Sequence, residues 1–178
     1  MLTSTVLAGT VFASAATLAP LLLDALLIAS IATNGLLAGV FFVFSCAIAP
    51  GFRRLDDDAY VQAFRAINRA ILNGWFLTVF LAAPVTAIVF AVISLLQGAA
   101  LTTALVVAGA VGSALTFLIT AARNVPLNDR LERAQIGTPD GRRAARRDFE
   151  RPWNTWNLVR TLTSLGGFVC LALAAVSG

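Results

Sequence analysis

The chain has 178 residues, of which 58% are hydrophobic and 12% are charged. Soluble domains carry roughly 25% charged residues, so this composition indicates a protein whose solvent is lipid. The formal net charge of +4 comes from arginine alone, because the sequence has no lysine and no histidine. Membrane topology and anionic headgroups explain this basic balance more simply than nucleic acid does, and we expect no nucleic-acid partner.

Four stretches are long and apolar enough to cross a bilayer, which takes about 20 residues per helix. They cover residues 25–49, 75–96, 99–122 and 158–176, to within a residue or two. They predict an all-α integral membrane four-helix bundle with cytoplasmic helical extensions, formed by residues 1–178 as a single transmembrane domain. Residues 1–22 are apolar but have no leading arginine or lysine. This favours a surface or extending segment ahead of the first span over a signal peptide.

The arginines predict which side of the membrane each connection faces. Four of them lie between the first two spans, nine lie from Arg123 to Arg160, and the short connection Gln97-Gly98 has none. Both arginine-bearing connections therefore lie on one side, which the positive-inside rule makes cytoplasmic. We expect a cell-membrane protein with both termini outside.

Cytoplasmic helical segments are predicted on both arginine-bearing connections. Asp56 is a typical N-cap, and we expect its helix to continue from the cytoplasm into the second span. Pro126 predicts a kink with a free backbone acceptor at the end of the third span. Residues 142–150 predict a short charged helix, after which the chain re-enters the bilayer through residues 152–160.

Small residues predict where the spans approach closely. Glycine and serine at four-residue spacing allow backbones to come together, and the interpretation as helix packing covers Gly35 with Gly39 and Gly109 with Ser113. Cys46 and Cys170 lie at different depths, so the sequence predicts no disulfide between them.

The residue types narrow the chemistry. Without histidine or a cysteine cluster there are no obvious ligands for zinc, copper or haem, so we expect no metal and no cofactor. A Ser-His-Asp triad is excluded for the same reason. Proton-coupled transport would usually need a carboxylate deep in a span, whereas Asp24 lies at the outer border of the first.

A set of polar side chains is predicted at the cytoplasmic mouth of the bundle. Spacings of three and four residues place the members from one helix on a common face. The set consists of Asn68 from the second helix, Asn124 and Asn128 from the third, and Trp153, Asn157 and Arg160 from the fourth. Such groups often bond neighbouring carbonyls and join helices. Together beside apolar walls, they also match what a hydrophobic phenol or ketone needs for binding.

Several of these segments resemble the anthrone-oxygenase-like membrane proteins over roughly residues 29–174. The resemblance rests on Asn34-Gly35-Leu36-Leu37-Ala38-Gly39, Ile67-Asn68, Asn124-Val125-Pro126-Leu127-Asn128 and Trp153-Asn154-Thr155-Trp156-Asn157-Leu158-Val159-Arg160. It implies oxidation of an anthrone to an anthraquinone by O2, without an identified metal or flavin, while many bacterial members have no known activity.

The resemblance also implies roles for the polar set. Arg160 and Asn128, with Asn124 and Asn157, would steady the oxyanion of the substrate. Trp153 would stack on its rings, and Asn68 would contact it. Asp129 is the base nearest in sequence, with an asparagine-bound water or spontaneous ionisation as alternatives.

Two function classes stay open at this point. The first is a cofactor-independent oxygenase whose partners are a hydrophobic small molecule and membrane lipid. The second is a non-catalytic protein, either a small-molecule carrier or the scaffold of a membrane complex. A homo-oligomer is compatible with either class. An oxygenase predicts a closed, ligand-sized pocket, whereas a scaffold predicts polar groups bonded to each other with no cavity.

Overall fold

The computed structural model describes residues 2–98 and 100–177, with side chains for residues 18, 20–98 and 102–177. The chain is 92% helical, and the described residues form no strand. The described residues form seven α-helices in the order α1 Leu2–Val43, α2 Ala49–Phe52, α3 Asp57–Ile71, α4 Gly74–Gln97, α5 Ala100–Ile119, α6 Val125–Arg133 and α7 Pro139–Ser177.

Four helical segments of the described chain are long and apolar enough to cross a membrane. They are Pro20–Phe52, Gly74–Gln97, Thr102–Arg133 and Pro139–Ser177. In the bundle α1 packs against α4 and α7, and α5 packs against the same two helices from the other side. This confirms the predicted all-α membrane bundle of four helices.

The helix is interrupted between α3 and α4, so the expectation of one helix running from the cytoplasm into the second span is wrong. Asp56 does cap α3, accepting a 2.8 Å hydrogen bond from the Ala59 amide. The helix ends because Leu72 leaves the helical region (φ −77°, ψ 51°). Asn73 then starts α4 by accepting from the Phe76 amide at 3.0 Å. Asparagine favours such a cap over a helix interior because its side chain competes for backbone groups.

Helix α7 is continuous, whereas the sequence predicted a separate charged helix before Pro152. The rings of Phe149 and Trp153 both pack on Phe64, with centroid distances of 4.9 and 5.2 Å. These contacts hold the helix in line on either side of Pro152, whose own side chain is exposed. Tertiary contacts therefore outweigh the roughly 3 kcal/mol that proline costs in a helix interior.

Two helices widen into five-residue π-turns before they reach the arginine-rich end. The first π-turn is Phe44–Ile48, between α1 and α2, and the second is Thr120–Asn124, between α5 and α6. Each is followed two residues later by a proline, Pro50 in one case and Pro126 in the other. Proline cannot donate to a carbonyl one turn earlier, so the helix changes its hydrogen-bond pattern there. Such π-bulges are frequent at functional sites.

Small residues bring α5 and α7 together as predicted, but they do not do so everywhere. A Cβ on Gly109 would lie 2.6 Å from Leu171, and one on Gly112 would lie 2.9 Å from the Gly167 Cα. On α1, a Cβ on Gly39 would meet nothing within 4 Å. The prediction that Gly39 serves helix packing is therefore wrong, because its open side has no helix against it.

An aromatic cluster closes the arginine-rich end of the bundle. Phe44, Phe64, Phe149 and Trp153 are buried together with Tyr60. The Tyr60 hydroxyl has no described hydrogen-bond partner. Burial, with a smaller contribution from Glu150, raises the pKa of the Tyr60 phenol. The cluster fixes Trp153, and with it the face of α7 that carries the polar set.

Candidate functional site

Arg160 lies inside the bundle, stacked between two aromatic rings. It is 6% exposed. Its guanidinium carbon is 4.3 Å from the centroid of the Phe41 ring and 5.0 Å from that of Trp153. Its Nε donates a 2.9 Å hydrogen bond to Asn157 Oδ1. Each such cation–π contact contributes about 0.5–2 kcal/mol.

No described acidic residue forms an ion pair with Arg160. The described ion pairs all lie around the arginine-rich end and include Arg146 with Glu150 and Arg142 with Asp58. Arginine stays protonated in proteins, and taking such an ion out of water costs several kcal/mol unless an opposite charge compensates. The site is therefore a buried positive charge with no ion-pair partner among the described residues.

Asn157 sets the position of that charge. Its Nδ2 donates to the Phe41 carbonyl at 3.1 Å and to Ser45 Oγ at 2.7 Å. With the amide nitrogen committed to α1 and the first π-turn, the amide oxygen is left to face Arg160. Ser45 Oγ also lies 3.0 Å from Thr161 Oγ1. These bonds join α1 to α7 beside Arg160 and orient its guanidinium.

Asn124 and Asn128 both contact Trp153. Asn124 is fully buried, and its Nδ2 donates to the Trp153 carbonyl at 3.4 Å. Its Oδ1 has no described partner. Asn128 Oδ1 accepts a 2.8 Å hydrogen bond from Trp153 Nε1. The four-residue spacing thus places both amides toward α7, as the sequence predicts, and the second π-turn supplies the first of them.

A cavity of about 60 Å³ opens beside these groups. Side chains from α1, α3, α4, α6, α7 and both π-turns line it, among them Phe41, Phe44, Asn68, Asn128, Trp153 and Arg160. The Nδ2 of Asn68 is buried there with no described partner. Asn124 and Asn157 lie behind the wall instead of lining the cavity. Ligand pockets for drug-sized molecules have about 300 Å³ or more, so a three-ring guest requires the surrounding side chains to move.

Asp129 is not brought to this cavity. It is exposed, and its carboxylate lies 3.9 Å from Arg133 on the same helix. Helix α6 directs Asn128 inward, so the adjacent residue turns about 100° away from it. No histidine or carboxylate is among the residues that line the cavity. The described residues also contain no group of three or more His, Cys, Asp or Glu that could hold a metal ion.

Sequence reasoning missed the contribution of the first helix. Phe41 stacks on Arg160, Phe44 lines the cavity, and Ser45 orients Asn157. Apolar residues in a span carry no mark of such roles. Pro50 was the available signal, because it follows the first π-turn just as Pro126 follows the second.

The match to a known family covers the helices that carry most of the site. The family model described as anthrone oxygenase matches residues 72–170, more than half of the chain. The chain belongs to the anthrone oxygenase family. The match covers α4, α5, α6 and most of α7, and so includes Asn124, Asn128, Trp153, Asn157 and Arg160. The resemblance noted from the sequence is thereby confirmed. No curated protein and no solved structure matches the chain.

Proposed function

We propose that this membrane protein binds the anion of a hydrophobic aromatic ketone or phenol at Arg160 and oxidises it with O2. The observation that carries the proposal is the buried guanidinium of Arg160, which has no acidic partner among the described residues. A bound oxyanion would pair with this charge. Membership of the anthrone oxygenase family makes an anthrone the substrate to test.

Arg160 would act by favouring the ionised substrate. An anthrone loses a proton from its central CH2 group and becomes an aromatic oxyanion. A nearby positive charge lowers the pKa of such an acid, and its hydrogen bonds are strongest to the ionised form. Since no carboxylate lines the cavity, we give Asp129 no part in this step, and the proton passes to water.

The oxidation then needs only the anion and O2. The carbanionic carbon forms a bond to O2, and protonation of the distal oxygen gives a hydroperoxide on that carbon. Loss of the remaining C–H proton breaks the O–O bond and releases water, which leaves a carbonyl group. One anthrone and one O2 thus give one anthraquinone and one H2O. Arg160 would hold the substrate oxyanion, and Asn128 and Asn68 would border the reacting molecule.

A non-catalytic role is the second candidate, and a specific observation favours it. The bonds from Trp153 to Asn128 and from Asn157 to the Phe41 carbonyl are also those of a polar helix join. The cavity of about 60 Å³ is small for a three-ring guest. A carrier or scaffold would keep these bonds and turn over no substrate.

Oxygen uptake by membranes supplied with anthrone separates the two. The oxygenase proposal predicts one O2 consumed per anthraquinone formed, and loss of activity in Arg160→Gln. Arg123→Gln is the matched control, because Arg123 also stacks on a tryptophan, 4.8 Å from the Trp156 ring, but is exposed. Equal activity in parent, Arg160→Gln and Arg123→Gln membranes would contradict the assignment.

We further infer that the arginine-rich end faces the cytoplasm and both termini face outward in the cell membrane, from the positive-inside rule. A single cysteine introduced at Ser177, in a chain whose Cys46 and Cys170 are replaced by alanine, tests this orientation. It should react with an impermeant maleimide in intact cells. Labelling only after lysis would show that the termini face the cytoplasm instead.

A further inference from the structure

A long apolar groove runs along the outside of the bundle between α1 and α7. It holds about 750 Å³ and is lined almost wholly by apolar surface. Its residues on α1 and the first π-turn extend from Ile31 to Ile48, a distance of about 25 Å along the helix axis. Phe168 of α7 forms its other side. The groove faces the region that lipid occupies.

Two glycines shape the floor of this groove. At Gly35 a Cβ would lie 3.0 Å from the Phe168 ring, so the ring rests directly on the backbone of α1. At Gly39 a Cβ would meet nothing within 4 Å. Gly39 therefore creates space where any other residue would fill it, without being required for contact between helices.

The groove and the Arg160 cavity share a wall. Val40 and Phe44 line both of them. Phe44 belongs to the first π-turn, where the hydrogen-bond pattern of α1 changes. A guest in the groove is thus separated from the cavity by two apolar side chains. Neither side chain carries a polar group, so displacing them would leave no polar group unpaired.

We infer that this groove is the route by which a hydrophobic aromatic substrate passes from the bilayer to Arg160, with Val40 and Phe44 as the movable wall. The inference rests on the proposed function, because it needs a ligand at Arg160. A flat aromatic molecule partitions into lipid, and the groove offers apolar contact over its whole length. The small cavity of the present structure is then the closed state of the site.

Gly39→Leu tests the route by filling the groove. The control is Gly166→Leu, because Gly166 is also exposed, meets nothing within 4 Å, and does not line the groove. The probe is 2-hydroxyanthraquinone, added to proteoliposomes and followed by quenching of tryptophan fluorescence. Its association rate should fall at least about tenfold in Gly39→Leu, with a Kd within about threefold of the parent, because a blocked route slows arrival and departure alike. Val40→Ala should speed association.

Several results would overturn the route. Association at the parent rate in Gly39→Leu means that the ligand reaches Arg160 elsewhere. A weaker Kd with an unchanged association rate means that the groove is itself the binding site. A parent dimer in detergent that Gly39→Leu dissociates means that a second copy covers the groove.

Arg160→Gln separates this inference from the proposed function. If Arg160→Gln abolishes equilibrium binding while Gly39→Leu behaves like the parent, only the route is wrong. If Arg160→Gln binds the probe as well as the parent does, the proposed function is wrong. A parent protein that does not take up the probe contradicts both.

Discussion

Replacing Arg160 by methionine removes the charge while keeping a long, flexible side chain at the site. A hydrogen bond to a charged group contributes about 1.5–3 kcal/mol. Each 1.4 kcal/mol is a factor of ten in affinity, so binding of an anionic ligand should weaken about 10- to 150-fold. The rate of anthrone oxidation at low substrate concentration should fall at least as much, because the same charge favours ionisation.

The stability of the Arg160→Met variant distinguishes a ligand site from a structural join. Burial of an unpaired ion costs several kcal/mol. Its two aromatic contacts and its bond to Asn157 offset a comparable amount. The free energy of unfolding should therefore change by no more than about 1 kcal/mol. Truncation of the fully buried Leu171 to alanine, in contrast, should cost about 2–5 kcal/mol.

Thermal unfolding in detergent and oxygen uptake in membranes measure the two quantities on the same preparations. Activity lost with stability retained supports a charge kept for a ligand. The reasoning is refuted if Arg160→Met keeps the parent's activity. It is equally refuted if the variant is destabilised as much as Leu171→Ala and loses activity only in proportion to the folded fraction.

Three further changes test other parts of the site. Asp129→Asn should alter the oxidation rate less than about twofold, because its carboxylate is 57% exposed and exposed ion pairs contribute little. A large loss in the steady-state rate would instead indicate that Asp129 acts as the base. Tyr60→Phe should remove a loss of stability above about pH 10, since an unfolded tyrosine ionises there while burial raises the pKa of the folded phenol. Tyr60 is the only tyrosine, so tyrosinate absorbance in the folded parent near that pH would contradict this. Pro126→Ala restores an N–H that lets the second π-turn become α-helical, so activity should fall more than in Pro84→Ala, whose proline lies in α4 without a π-turn. Equal oxidation rates in these two variants would show that the π-turn is not needed for activity.

The bundle could be predicted because lipid leaves a chain few choices. Backbone groups in a bilayer must pair within a helix, so apolar length alone identifies the four spans. Helical spacing likewise predicted which polar residues share a face. Asn157 bonds Arg160, and Asn124 and Asn128 both contact Trp153.

What could not be predicted depends on contacts between distant segments. The continuity of α7 through Pro152 depends on Phe64, which contacts Phe149 before the proline and Trp153 after it. Ser45 orients Asn157 from a position 112 residues away. The size of the cavity and the open side of Gly39 are properties of the assembled bundle, and no local pattern reports them.

The two π-turns make the arrangement of the site depend on the number of residues in each turn. Each turn accommodates one residue more than an α-helix would use over the same rise. Deleting a residue from Phe44–Ile48 or Thr120–Asn124 would remove this extra residue and leave the hydrophobic phase on either side intact. The bundle would persist, while the polar side chains on these turns would point in different directions around Arg160. The number of residues at these two points therefore sets the arrangement of the groups around Arg160 separately from the fold of the bundle.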